Sequence, residues 1–305
     1  MSVQAQSYPD KPVRLIVPLS AGSAVDTLAR IPAQKLSELW GQQVVVDNRV
    51  GANGIIGTEA AAKAPPDGYT LLLTNDAALA TSPALYPKLP YDPVRDLAPI
   101  TLAASIPVIL VVHSSVPIAS VKELVEYARA NPGRLHYASA GNGSAQHVPM
   151  EMFKQAAGID LMHVPYKGLA PALNDVVGGQ VPVMFAGMSG ALPHVKAGRI
   201  RALAIGSARR SAAMPALQTM QEAGVAGFDY SAWAGFLAPA GTPAPIISKV
   251  NADLAKVLAL PEVRDKLGAL GFELAPGTPA EFGDMIRREM AKLAKVVKEA
   301  GIRVD

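Results

Sequence analysis

The 305-residue chain contains no cysteine, so disulfides, thiol catalysis and thiolate metal sites are excluded. Aromatic residues make up only 5% and charged residues only 17%. The net charge of +3 is small, and no run of about 18 apolar residues occurs that could span a membrane as a helix. The densest basic stretch, Arg287-Arg288 with Lys292, Lys295 and Lys298, falls on a terminal helix. It reads as a solvated face rather than a nucleic-acid footprint, so no nucleic-acid partner is expected. Half the residues are hydrophobic, a globular composition long enough for one or two domains with ample core.

The elements alternate. Val13–Pro18 reads as a buried strand and Asp26–Leu39 as a helix with Ser23 as its N-cap, Ser23 and Asp26 having capping spacing. Pro32 is expected to kink or shorten that helix. Strands at Gln43–Asp47 and Thr70–Thr74 flank a helix entered through Gly51–Gly57. Strand–helix alternation of this kind implies parallel pairing with both faces covered. Pro83–Pro99 reads as an irregular connector. A second strand–helix set follows over 105–225. Trp233–Ala238 crosses back as a strand, Thr242 is placed as the N-cap of the next helix, and helices close the chain. The expected fold is α/β with two lobes, 1–104 plus 226–305 and 105–225. The chain crosses twice between them, near 101–105 and 226–236. A ligand would lie in the cleft between the lobes.

Four loops share one design, a strand end followed by small residues and a helix start: Ser20–Ser23, Asn75–Ala78, Ala140–Ser144 and Lys167-Gly168. Helix N-termini carry unpaired N–H groups and a partial positive charge, so they suit carboxylates. Any α/β fold needs Gly and Ser at such turns. Four at corresponding positions point beyond that to a site. His147 lies one turn inside the helix that Ser144 is expected to cap, either facing the cleft or covering the lobe surface. Tyr166 and Trp233 are candidates for the cleft wall, with the core as their alternative.

Catalytic motifs fail. Gly187-Met188-Ser189-Gly190-Ala191 misses the last glycine of a nucleophile elbow, and no triad accompanies it. Gly141-x-Gly143 lacks a third glycine, since Gln146 stands there. Gly51-x-x-Gly54-x-x-Gly57 is not followed by the Gly-Lys-Ser/Thr of a P-loop. The histidines show no metal-ligand spacing. The chain is therefore expected to be no enzyme and to carry no metal or cofactor, an α/β hydrolase being the weaker alternative.

Taken together, several stretches resemble the Bug/TctC family of periplasmic solute-binding proteins, receptors of tripartite tricarboxylate transporters. They are Arg14–Pro18, Gly22-x-x-x-Asp26-x-x-Ala29-Arg30, Val46–Arg49 with Gly51-Ala52, Pro66–Leu71, Gly143-Ser144, Val164–Gly168, Gly179–Val181 and Leu192–Gly198. The resemblance implies a type II periplasmic-binding-protein fold that closes over a small carboxylate. The first strand–helix loop would hold a carboxylate through backbone amides, with bridging waters and second-lobe contacts. Carried over by position, the ligand residues are Leu19, Ser20, Ala21, Gly22, Ser23, Asn75, Asp76, Ser144, His147, Gly187, Met188 and Ser189. Ser139, Gly143, Tyr166 and Trp233 are added beside them.

Two positions depart from the family pattern. Ser23 stands where the family usually has a second glycine, and Ala186 where many relatives are acidic. The second departure argues against an ammonium-bearing ligand. It favours a dicarboxylate, a tricarboxylate or an aromatic carboxylate. The implied partners are the membrane subunits of a transporter, with a signalling receptor as the alternative. A periplasmic monomer is expected. Val3-Gln4-Ala5 has the look of a leader cleavage site, as though a leader had been replaced by a start Met.

Overall fold

The computed structural model describes residues 8–303, so the reading of Val3-Gln4-Ala5 lies outside the described residues. The strands are β1 (Val13–Val17), β2 (Val44–Asn48), β3 (Thr70–Asn75), β4 (Leu97–His113), β5 (His136–Ser139), β6 (Met162–Pro165), β7 (Val183–Gly187), β8 (Ile200–Ile205), β9 (Ser231–Pro239) and β10 (Glu273–Leu274). The helices are α1 (Ala24–Trp40), α2 (Ile55–Ala62), α3 (Ser82–Leu85), α4 (Val121–Ala130), α5 (His147–Ala157), α6 (Leu169–Val177), α7 (Met188–Lys196), α8 (Ala244–Ala259), α9 (Pro261–Ala269) and α10 (Pro279–Glu299).

The strands form one sheet in the order β2-β1-β3-β9-β4-β7-β5-β6, with β8 and β10 also paired to β4. Parallel pairs lie at the two ends, β2-β1-β3 and β7-β5-β6. Antiparallel β9 and β4 join them in the middle. The long strand β4 belongs to both ends. Leu97–Pro107 pairs with β9, and Val108–Val112 pairs with β7. The change of partner falls beside Pro107, which has no N–H to give to a ladder. Side chains alternate across β4: Val108, Leu110 and Val112 enter the main core, while Ile109 and Val111 enter a second core under α6 and α7.

Several local expectations change on contact with the packing. Pro32 does not break α1, which runs unbroken over 17 residues. Leu28, Ala29, Ala33 and Leu36 bury one face of it. That burial outweighs the hydrogen bond that proline removes, a cost of about 3 kcal/mol. Thr242 does not cap α8. Pro243 holds the cap position, and the Thr242 hydroxyl donates to Pro239 O, closing the turn after β9. The connector after β3 is helical at its start, with a wide turn over Ala77–Thr81 and then α3, because buried Leu79, Ala80 and Leu85 fill space beneath it. Helix α5 starts at His147, later than Ser144 suggested, and the Ser144 hydroxyl accepts from His147 N at 3.3 Å.

Candidate functional site

A cavity of about 540 Å³ opens where the two ends of the sheet meet. Its base is Ile106 and Val108 of β4 with Ala232 of β9. Loops from both ends wall it: Pro18–Ser20 with Ser23–Val25, Val50–Gly54, and Asn75 on one side; Ala140, Ser144–Gln146, Lys167–Leu169 and Gly187 on the other. Each loop leaves the end of a strand, and most lead into a helix. The starts of α1, α2, α5, α6 and α7 therefore converge on one space.

Those helix starts are short of acceptors. Helices α4 and α10 begin outside the cavity wall and are capped by the hydroxyls of Ser120 and Thr278. Helices α2, α6 and α7 begin at Gly54, Gly168 and Gly187 with no side-chain cap, whereas the first amides of α5, those of His147 and Val148, are spent on Ser144. Of the other helices without a hydroxyl cap, α3, α8 and α9 carry a proline in the first turn, which removes one donor, and Pro171 does the same in α6. The cavity thus collects unspent N–H donors and the positive ends of several helix dipoles. Lys167 adds a full positive charge, and among the described residues no acidic side chain lines the wall. Such a space favours a small anion whose body is apolar enough to lie on Val25, Ile106, Val108 and Leu169.

The first loop is braced from behind. Asp26 is buried at the start of α1. Its carboxylate accepts from Gly22 N at 2.9 Å, from Arg30 Nε at 2.9 Å and from Asn48 Nδ2 at 2.8 Å. Asn48 Nδ2 also donates to Leu19 O at 2.9 Å. Burial alone would raise the Asp26 pKa. The Arg30 bond and the Gly22 and Asn48 donors outweigh it and hold the carboxyl below its ordinary value. The amide of Gly22 is thereby spent on Asp26, and that of Ser23 on Ser20 O. The first-turn amides of Ala24 and Val25, both in the wall, come before the helix's own bonding begins. Asp26→Ala is expected to release the loop, lowering stability by about 2 kcal/mol or more. Urea denaturation measures this, and an unchanged midpoint would count against the bracing role.

Of the residues singled out from sequence, Leu19, Ser20, Ser23, Asn75, Ser144 and Gly187 line the cavity. Ala21 and Gly22 sit in the same turn but outside the wall. The remaining eight do other work. Trp233 is buried, edge-on to Phe282 at 5.8 Å. The Tyr166 hydroxyl donates to Asp175 Oδ2 at 2.6 Å. Asp76 is buried and accepts from the Tyr230 hydroxyl at 2.7 Å. Burial raises its pKa to about 7, even though the Tyr230 bond favours the charged form. Met188 is buried, and Ser189 follows it in α7 behind Gly187. Ala186 is buried in the second core, so it does not govern the charge of the wall.

His147, Gly143 and Ser139 form a support under the Ala140–Gln146 loop. His147 is buried with its ring stacked on His163 at 4.1 Å, and His163 stacks on Tyr137 at 4.8 Å. Gly143 N donates to His147 Nδ1 at 3.0 Å. Ser139 Oγ accepts from Gly141 N at 3.1 Å and lies 2.6 Å from His163 Nε2. Burial, the neighbouring histidine and Lys154 push the His147 pKa down to about 3. Burial pushes His163 down to about 4, with Glu151 opposing and Lys154 adding to the shift. Neutral imidazoles therefore hold the loop.

Residues the sequence reading missed include Asn53, Gln146 and the β-strand base. Gly51–Gly54 has the same strand-to-helix design as the four loops, which was the available signal.

An α/β sheet of two halves, joined by long central strands around a cleft rich in unspent donors, defines a two-lobed binding protein of the periplasmic type. The model of the tripartite tricarboxylate transporter family receptor matches residues 28–302, and the chain belongs to that family. This is a family of periplasmic binding proteins. The chain is 37% identical over 303 residues to protein BugT of Bordetella pertussis, covering 99% of this chain and 93% of BugT. Among solved structures it is similar to Rpa4515 of R. palustris with adipate (TM-score 0.93, 38% identity, 97% of this chain and 99% of that one). It is also similar to MatC of Rhodopseudomonas palustris with bound malate (TM-score 0.88, 31% identity, 95% and 100%).

Proposed function

We propose that the chain captures a small carboxylate outside the cytoplasm and presents it to the membrane subunits of a tripartite tricarboxylate transporter. The lobes are 1–104 plus 226–305 and 105–225, hinged where β4 and β9 cross the middle of the sheet. One carboxylate docks on amides of the first lobe. Contacts from the second lobe then favour the closed form, since a ligand shifts an equilibrium only by its differential affinity for the two states. No bond is made or broken, and the protein works as a monomer.

The observation that supports this most directly is the pooling of the uncapped starts of α2, α6 and α7 with Lys167 around a cavity that, among the described residues, no acidic side chain lines. Relatives solved with adipate and malate support the same class of ligand. The lack of an acidic wall residue favours acids without an amine, such as a dicarboxylate, a tricarboxylate or an aromatic acid.

A thermal-shift and calorimetry panel of adipate, malate, citrate, benzoate and aspartate tests it. Ligand at 100 times its Kd stabilises by about 2.7 kcal/mol, a rise of several degrees in Tm. At least one amine-free acid is expected to produce that rise, and aspartate none. A panel with no shift for any carboxylate would overturn the reading.

A further inference from the structure

Asn53 stands in the cavity wall with three features that its local fold does not explain. Its backbone is left-handed, φ 52° and ψ 36°, and the preceding Ala52 is left-handed too at φ 45°. Two successive residues with side chains in this region are uncommon, and such strain persists only where surrounding structure imposes it. Glycines were close at hand: Gly51 and Gly54 flank the pair, yet an amide side chain occupies the strained position. The third feature is chemical. Asn53 Nδ2 is buried and has no hydrogen-bond partner among the described residues. A buried donor without an acceptor is costly, and native structures rarely leave one.

The surroundings indicate what would satisfy it. The turn packs against Pro18 at the end of β1, where a Cβ added at Gly54 would lie 3.6 Å from Pro18 Cβ. This places Asn53 beside the first loop, where the α1 donors begin. It lines a space that also holds helix starts, Lys167 and the polar side chains of Ser20, Ser23, Asn75, Ser144 and Gln146. None of those side chains accepts from Asn53 Nδ2, and an acid's oxygen is the acceptor that Lys167 and the helix starts would admit beside it.

We propose that Asn53 is a ligand-contacting residue whose side-chain amide donates to an acceptor oxygen of the bound acid. The inference rests on the carboxylate reading above and adds a specificity residue to it. The strained turn holds the amide in place before the ligand arrives, so little ordering is needed on binding. A site built to hydrogen-bond an oxygen discriminates against ligands that lack one there, because the donor is then left unpaired.

Three proteins test this: wild type, Asn53→Gly and Asn53→Asp. The probe is whichever of adipate, malate, citrate and benzoate binds wild type most tightly. Glycine suits the left-handed backbone, so Asn53→Gly is expected to melt without ligand at or above the wild-type temperature. Its Kd is expected to rise at least 10-fold. Asn53→Asp replaces a donor with a carboxylate and is expected to raise Kd at least 100-fold. Wild-type affinity in Asn53→Gly overturns the proposal. So does an affinity loss accompanied by a lower melting temperature without ligand, which would mark the residue as structural. Failure of wild type itself to bind any of the acids removes the carboxylate reading first, and this inference with it.

Discussion

Gly143→Val is expected to weaken carboxylate binding by 100-fold or more while leaving both halves of the molecule folded. Gly143 belongs to the loop that follows β5, and it packs directly against the segment that follows β3. A Cβ at Gly143 would overlap Leu85 Cδ1 and come within 3.4 Å of Thr81 Cγ2. The backbone is also left-handed there, φ +73°, which costs a residue with a Cβ about 1–2 kcal/mol. The steric penalty falls on the arrangement in which the two ends of the sheet touch, whereas the backbone penalty stays with the loop in either arrangement. A variant that swings apart escapes the steric one. A loss of 100-fold corresponds to about 2.7 kcal/mol, well within what a branched side chain at a closed contact imposes. Calorimetry measures the affinity, and small-angle scattering reports whether the liganded variant compacts. Gly143→Ala with Leu85→Ala should recover part of the loss, because the second change removes the obstructing methyl. The left-handed backbone penalty should remain. If the pair binds no better than Gly143→Ala alone, closure is not what Gly143 controls.

How much of this was readable from the chain depends on the distance over which each feature is decided. Ser23 as a cap and Asp26 three residues on are local, and both appear in α1 as spacing implied. The Lys167-Gly168 turn and the Ala140–Ser144 turn are local in the same sense, and both supply wall residues. Trp233 was close in position but wrong in face. Successive side chains on a strand point to opposite sides, so Ala232 lines the cavity while Trp233 packs on Phe282. Only the register of β9 between β3 and β4 decides which, and that register is a long-range fact. His147 shows the same limit. Its spacing from Ser144 placed it near the loop, but its orientation depends on His163 arriving from β6. Asn53 escapes a motif reading because Gly51–Gly57 matches no phosphate loop, lacking the Gly-Lys-Ser/Thr that would follow. The donor there is an amide held by strain, which no motif describes.

Acidification should destabilise the protein between about pH 6.5 and pH 4, with His147 and His163 driving the loss and Asp76, raised to about 7 in the folded state, opposing part of it. The two histidine pKa values are lowered in the folded state, to about 3 and about 4. The unfolded chain takes up protons at the ordinary histidine value near 6.5. In that interval the unfolded state binds more protons at these two residues, so stability present above pH 6.5 is lost as pH falls toward the folded values. Each histidine contributes up to about 1.4 kcal/mol per pH unit, and the two are coupled through their stack. The groups facing His147 are Glu151, with Oε1 3.9 Å from Nε2, then His163, Tyr137 and Lys154. Glu151 is itself engaged by Lys154 at 2.9 Å, so it offers little to a second cation.

The consequence for binding follows from the same bond. An imidazolium has no lone pair at Nδ1, so a protonated His147 cannot accept from Gly143 N, and the loop that carries Ser144 and Gln146 loses its support. His147→Phe separates the two effects. It keeps a ring for the stack, removes the titration and leaves Gly143 N unpaired. Its stability at pH 7.5 should fall by about 1–3 kcal/mol, and its loss between pH 6.5 and 4 should be shallower than that of wild type. Urea midpoints collected across that range decide it. Equal slopes in the two proteins would mean that the acid sensitivity arises elsewhere.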